Sequence, residues 1–403
     1  MNPTAPTFDD DKLGLKPFSE KLERFLMVEH DFVEGSLVVS LNAPFGSGKT
    51  TFLSMWNADL DQRRSADTSL PKTIFLNAWE SDFCGDALLS IVTGLANAAG
   101  GAGSHELEPK AHRLREAAKD VAWFATGLAN KLASKWTGVD PVAAGDFASG
   151  KKKARQPPKP DFVTLYEQRT AALKKLKQTL RDIYGGERPK AFVFVDELDR
   201  CRPDYAVGYL ETIKHVFDVH GLVFVLAVDY EQLGSSARAL FGQELKFPEY
   251  FRKFVQRSIS LPEPGETGMQ TLAGHYTTIY LEREGKRTSL MKLNDRAPNI
   301  VELISALKMT PRQIQEVFRV IGHVAAGDAE QRGKLNWCLG AGLILMSALQ
   351  VADPLMYRSI GTGQKSCLDV GNYLIKVLGS ENAKWWFCVF WPRNFFSVKC
   401  FSI

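Results

Sequence analysis

"NAPFGSGKTTF", residues 42–52, is the stretch on which the reading of this chain turns. Gly46, Gly48, Lys49 and Thr50 stand in the GxGKT order of a phosphate-binding loop. In such a loop, backbone N–H groups at a helix N-terminus and one lysine cradle an anion. The full signature has a further glycine five residues before Gly48, and that position is Ala43. Alanine is unfavourable there only if the backbone needs a positive φ. Pro44 follows and biases Ala43 towards extended geometry, which alanine takes readily. The loop is therefore expected to function, with Gly46, Ser47, Gly48, Lys49, Thr50 and Thr51 around the phosphates.

The surroundings alternate strand and helix. "SLVVSLN" (36–42) is a short β-rich run, unbroken by charge, as a buried parallel strand requires. After the loop, Phe52, Leu53, Met55, Trp56 and Leu60 recur at helical spacing. Further strands are expected at 72–79, 190–200, 221–233 and 255–262, and a helix at 161–186 that two glycines stop. In the third strand, Phe192 to Val195 lead into Asp196 and Glu197. A carboxylate at the carboxyl end of a buried strand beside a phosphate loop is where Mg2+ is held, and Glu197 is placed to polarise a water. Two adjacent acids at a strand end are costly to hold without a cation. The fold expected is α/β: a P-loop NTPase with a parallel sheet core flanked by helices. ATP and Mg2+ are the expected cofactors.

The bulk numbers restrict the partners. Over 403 residues, 45% hydrophobic and 24% charged content is that of an ordinary globular chain, and the net charge is only +4. Charge alone makes no case for a nucleic-acid partner, which stays open. The six cysteines lack metal or disulfide spacing, and "MNPTAPTFDDDKLG" lacks a signal peptide's basic start and apolar core. A cytoplasmic protein is expected, with attachment to a membrane surface as the minor alternative. "VAWFATGLAN" (121–130) is too short to span a bilayer. "LNWCLGAGLILMSALQVA" (335–352) reads as a buried helix of a helical domain in preference to a membrane span.

Several stretches together resemble the KAP family of P-loop NTPases, over roughly residues 8–320. They are "DDDKLGLKPFSEKLERFL" (9–26), "GSGKT" (46–50), "FLNAWESD" (75–82), "FVFVDELDRCRPDYAVGYLETIKHVFDVHGLVFVLAVDYEQL" (192–233), "PEYFRKFVQRSISLP" (248–262) and "TPRQIQEVFR" (310–319). The resemblance implies ATP hydrolysis. Lys49 would neutralise the β- and γ-phosphates, Thr50 would bind Mg2+ with Asp196 in the outer coordination sphere, and Glu197 would be the catalytic base. It places Asp229 either as a polar sensor of the γ-phosphate or simply as the N-cap of the next helix. Arg252 or Lys253, in "FRKF", is either a finger acting on a neighbouring subunit's site or part of a solvated helix face. Arg312 resembles the lid arginine that reads bound phosphate. Self-association is implied, and bacterial members are associated with exclusion of phage or mobile elements. A nucleotide-gated binding or scaffold module with little turnover is the alternative.

The expected organisation is a first part of the NTPase core over 1–80, a helical insertion and basic, proline-rich linker over 81–160, and the second part of the core over 161–265. A helical lid over 266–384 and an aromatic tail over 385–403 follow. The tail is read either as an interface or membrane-surface anchor, or as the end of a truncated or frame-shifted reading frame. Trp79 is expected to pack under the second strand. Arg200 and Arg202 are expected either to pair with Asp199 and Glu211 or to contact a neighbouring subunit.

Overall fold

The computed structural model describes residues 6–100, 109–121, 162–285, 297–326 and 337–387. Contacts between Cα atoms divide the chain into two units. One comprises residues 1–8, 17–44 and 49–261, and the other residues 9–16, 45–48 and 262–403.

In the first unit the chain runs α1 (Lys16–His30), β1 (Leu37–Asn42), α2 (Lys49–Ala66), β2 (Lys72–Asn77), α3 (Ala78–Asp82) and α4 (Ala87–Gly100). Next come α5 (109–121), α6 (Phe162–Tyr184), β3 (Ala191–Asp196), α7 (Pro203–Val216) and β4 (Leu222–Val228). The unit ends with α8 (Tyr230–Phe241), α9 (Phe247–Phe251) and β5 (Arg257–Ser260). The five strands form one parallel sheet in the order β2-β3-β4-β1-β5. Every residue of β3 and β4 is buried, which is why both read as unbroken apolar runs.

Successive side chains of a strand point to opposite faces, so each face draws on alternate residues. On one face Trp56 of α2 packs on Phe192 and Phe194, ring centres 5.9 and 4.9 Å away, with Phe52 one helical turn earlier at 5.8 Å. Val193, Val195, Phe224 and Leu226 belong to the other face's core, with Ile91, Leu95, Leu176, Leu180, Tyr209 and Ile213 from the helices. The expected strands are found, but three of them stop early for local reasons. β2 ends at Asn77 because that side chain accepts the N–H groups of Trp79 and Glu80 and starts a helix. β3 ends at Asp196, where the backbone of Glu197 turns left-handed. β4 ends at Val228 because Asp229 caps α8 by accepting the Gln232 N–H.

The second unit contains α10 (Glu266–Gly285), α11 (Ala297–Ala306), α12 (Pro311–Ala326), α13 (Trp337–Ala352), α14 (Pro354–Gly361), α15 (Cys367–Leu378) and α16 (Ser380–Trp386). In α13, Ala341, Ile344, Leu345, Ala348 and Leu349 are buried at the spacing of a single helix face. Leu303, Ile314, Val317, Val370, Leu374 and the fully buried Trp386 complete that core. Over its described part, Trp337–Ala352, the apolar stretch at 335–352 is a helix of a helical core, as its sequence predicts. Among the described residues no helix is long and apolar enough to cross a membrane. The basic, proline-rich run at 151–160 and the end of the aromatic tail, 388–403, lie outside the described residues.

His30, the last residue of α1, is buried with its ring stacked 4.0 Å from that of His220. Its Nε2 accepts the Gly221 N–H at 3.1 Å, so the imidazole is required in its neutral form. Burial lowers its pKa and His220 adds to this, while the neighbouring Asp31 opposes it. An unfolded chain takes up a proton below the ordinary value of 6.5 that folded His30 resists, so stability falls as pH drops through that value. In His30→Gln the amide oxygen can accept the Gly221 N–H without titrating. The loss of thermal midpoint between about pH 7.5 and about pH 5.5 should therefore be smaller in His30→Gln than in the natural protein. Equal slopes in parallel melts would show that this pair senses no protons.

Candidate nucleotide-binding site

β1 delivers the chain to the loop at the carboxyl edge of the sheet. The Ala43 N–H still bonds to the Val228 carbonyl at 3.2 Å, and the Asn42 Oδ1 accepts the Tyr230 N–H at 2.9 Å. Ala43 is buried, and among the described non-glycine residues only Glu197 and Lys308 have positive φ. Alanine thus stands where the backbone asks for no glycine, as Pro44 predicts. The left-handed positions fall on Gly46 (φ +81°) and Gly48 (φ +100°). A Cβ on Gly48 would have no atom within 4 Å. The Ser47 hydroxyl is buried without a hydrogen-bond partner. α2 starts at Lys49, so the first amides of that helix, including those of Lys49, Thr50 and Thr51, have no partner within it. Amides without an intrahelical partner and an orphan hydroxyl fit a phosphate group.

Lys49 does not present its ammonium to solvent. It is buried, and its Nζ donates to the carbonyls of Ala43 at 2.6 Å and Pro44 at 3.4 Å. Burial lowers its pKa. Asp199, Asp229 and Asp196 oppose this, in that order, and Arg200 reinforces it. The lysine is parked on the loop's own backbone, with three carboxylates favouring its charge.

Asp196 is the last residue of β3 and is buried. Burial pushes its carboxyl pKa up. The Thr50 hydroxyl and the Glu197 N–H, which donates to it at 2.9 Å, pull the other way, Asp199 raises it further and Lys49 lowers it. Glu197 sits at φ +61°, a left-handed conformation costing on the order of 1–3 kcal/mol in a residue with a side chain. Its carboxylate bonds to the Arg200 Nη2 at 2.9 Å. Asp229 is the N-cap that one sequence reading foresaw, and its charge also acts on Lys49.

Other expectations change. Trp79 is 52% exposed because β2 has already ended, and it lies on α3 with the Arg200 guanidinium 5.9 Å from its ring centre. Arg202 bonds to Asp82, through both its backbone N–H and its Nε at 3.0 Å, instead of to Glu211. Asp199 went unremarked as a site residue. It is buried and accepts the Asp229 N–H at 3.0 Å, linking the ends of β3 and β4. Its only sequence signal is its place three residues after Asp196. Arg252 caps the end of α9 and is exposed, as is Lys253, whose Nζ lies 5.7 Å from the Tyr250 ring centre. Neither side chain is hydrogen-bonded or ion-paired to the loop among the described residues. Arg312 belongs to the second unit, as does Phe45, and there its guanidinium lies 4.5 Å from the Phe45 ring centre.

With this geometry in place, comparison with known proteins is decisive on family. A model described as the KAP family P-loop domain matches residues 15–327. The chain belongs to the KAP family. This KAP protein is accordingly a nucleotide-binding P-loop NTPase. A search of curated proteins finds no match. Among solved structures, the Aeropyrum pernix ORC2 protein in its ADP form is 13% identical with a TM-score of 0.36, covering 82% of this chain and 68% of its own. The same protein in ADPNP–ADP complexes is 13% identical with a TM-score of 0.37, covering 84% and 68%. A likeness of that size assigns no function.

Because the amides expected to face phosphate follow Gly46, restoring the signature with Ala43→Gly should change nucleotide affinity by less than about tenfold, or roughly 1.4 kcal/mol. Calorimetric titration of both proteins checks this. A larger gain would show that Ala43 distorts the turn.

Proposed function

We propose that this KAP protein is a Mg2+-dependent ATPase whose hydrolysis switches a conformation or an assembly. The observation that carries the reading is the buried carboxylate of Asp196 at the end of β3, whose charge acts on Lys49 at the start of α2. Thr50 and Asp196 would hold Mg2+, and bound Mg2+ supplies neutralisation of charge on the β- and γ-phosphate oxygens. Lys49 would exchange its two carbonyl partners for phosphate oxygens. The amides from Gly46 to Thr51 would bind and orient the phosphate chain. Glu197 would orient the attacking water and take its proton. Asp229 would report on the γ-phosphate from beside Lys49, and Arg312 would read phosphate from the helical lid.

Arg252 or Lys253 would act on the site of a second copy. Both are exposed and neither is tied to its own loop, which supports a role in trans. A cation added near the γ-phosphate is worth about 10³ or more in rate. Exclusion of phage or mobile elements is the biological setting that the family suggests, and it rests on analogy. A second reading is a nucleotide-gated module with slow turnover.

Lys49→Ala tests the loop that both readings share, and Glu197→Gln separates them. Lys49→Ala should lose nucleotide binding and phosphate release while keeping its circular dichroism spectrum. Turnover in a folded Lys49→Ala protein would sink the assignment. Glu197→Gln should retain ATP and lose phosphate release in an enzyme, whereas a pure binder would be little altered. If the finger acts in trans, specific activity should also rise with protein concentration, and Arg252→Ala or Lys253→Ala should slow turnover with ATP still bound. Concentration-independent rates, with both variants at wild-type activity, would make the chain a self-contained monomer.

A further inference from the structure

The turn after β3 is closed twice by one residue. The Arg200 N–H donates to the Glu197 carbonyl at 3.2 Å, and the Arg200 Nη2 donates to the Glu197 Oε1 at 2.9 Å. The Cys201 thiol donates to the same carbonyl at 3.6 Å. These contacts hold Glu197 in the left-handed conformation that its side chain disfavours. Arg200 is itself braced, because its guanidinium lies over the exposed ring of Trp79 at a distance where a cation and an aromatic face attract.

Asp196, Asp199 and Asp229 also cluster about Lys49, so Glu197 enters a region rich in carboxylates. A glutamate side chain with three rotatable bonds would turn away from such neighbours towards water. One oxygen fixed on Arg200 prevents this and leaves the other directed to accept from a water molecule. The i,i+3 spacing of the pair and its low exposure, 16% for the Glu197 side chain and 33% for Arg200, make the arrangement more than a solvated surface contact.

We propose that Arg200 is a positioning residue, which fixes one oxygen of Glu197 and so presents the other to the attacking water, with Trp79 as its brace. This rests on the reading of Glu197 as the catalytic base. In this account Arg200 acts through Glu197, so its loss should appear in turnover and not in nucleotide binding.

The test is steady-state phosphate release and ATP affinity for the full chain and for Arg200→Ala, Arg200→Lys, Trp79→Ala, Glu197→Gln and the Arg200→Ala/Glu197→Gln double variant. Misplacing a catalytic group by about 1 Å costs up to about a hundredfold. Arg200→Ala should therefore lower kcat by about ten- to a hundredfold with ATP affinity within about threefold. Arg200→Lys should recover part of the loss, since an ammonium can still hold the carboxylate, and Trp79→Ala should show a smaller loss of the same kind. In the Glu197→Gln background Arg200→Ala should have almost no further effect, because the group it positions is gone. An equal loss in both backgrounds, or weakened ATP binding at unchanged kcat, would overturn the proposal while leaving Glu197 as the base. Wild-type turnover in Glu197→Gln would overturn the base assignment, and the proposal with it.

Discussion

The parallel register of four strands is the constraint from which the site follows. Asn77 of β2 lies opposite Asp196 of β3, and Asn42 of β1 lies opposite Val228 of β4. β4 separates β1 from β3, so at about 4.8 Å per strand the loop and the acids are set about 10 Å apart. Beyond this common level each chain must leave the apolar layer, and the next residues are Ala43, Ala78, Glu197 and Asp229. Polar chemistry collects on this edge because it is where the buried strands run out.

Once the strands place these groups together, electrostatics fixes their internal partners. Lys49 and Asp196 are both buried, and an isolated buried charge is strongly disfavoured. The protein satisfies the lysine with two backbone carbonyls and gives the aspartate the Glu197 amide. Asp199 adds a link from its carboxylate to the Asp229 amide. Each of these partners can be exchanged for a phosphate oxygen or a cation without rebuilding the sheet. The loop is therefore preorganised, and the reorganisation that binding requires is confined to a few side chains.

Much of this was legible in the sequence, because the signals are local. A strand buried on both faces must be an unbroken apolar run, and "FVFV" and "LVFVLAV" are such runs, so β3 and β4 announce themselves. The GxGKT order also specifies its own backbone, which is why the left-handed positions fall on Gly46 and Gly48. Strand ends were less legible, since they depend on whether one side chain reaches an amide two or three residues ahead. Asn77 and Asp229 do so, and the expected strands overran them. Burial of Lys49 was missed because its carbonyl partners exist only once the loop has folded back. The pairing of Arg202 with Asp82, 120 residues away, has no local signature at all.

Glu197 shows how the two kinds of information combine. Sequence supplies an acid after a buried strand, but an acid there has no fixed direction, and its backbone adopts a conformation that most side chains avoid. Strain of this sort persists only where the surroundings over-determine it. Here the determinants are Arg200, Cys201 and, behind Arg200, the ring of Trp79. Trp79 is available for that purpose because Asn77 ended β2 and turned the chain into α3. A cap on one strand thus governs the direction of a carboxylate on the next, through the alignment that the parallel sheet imposes on both.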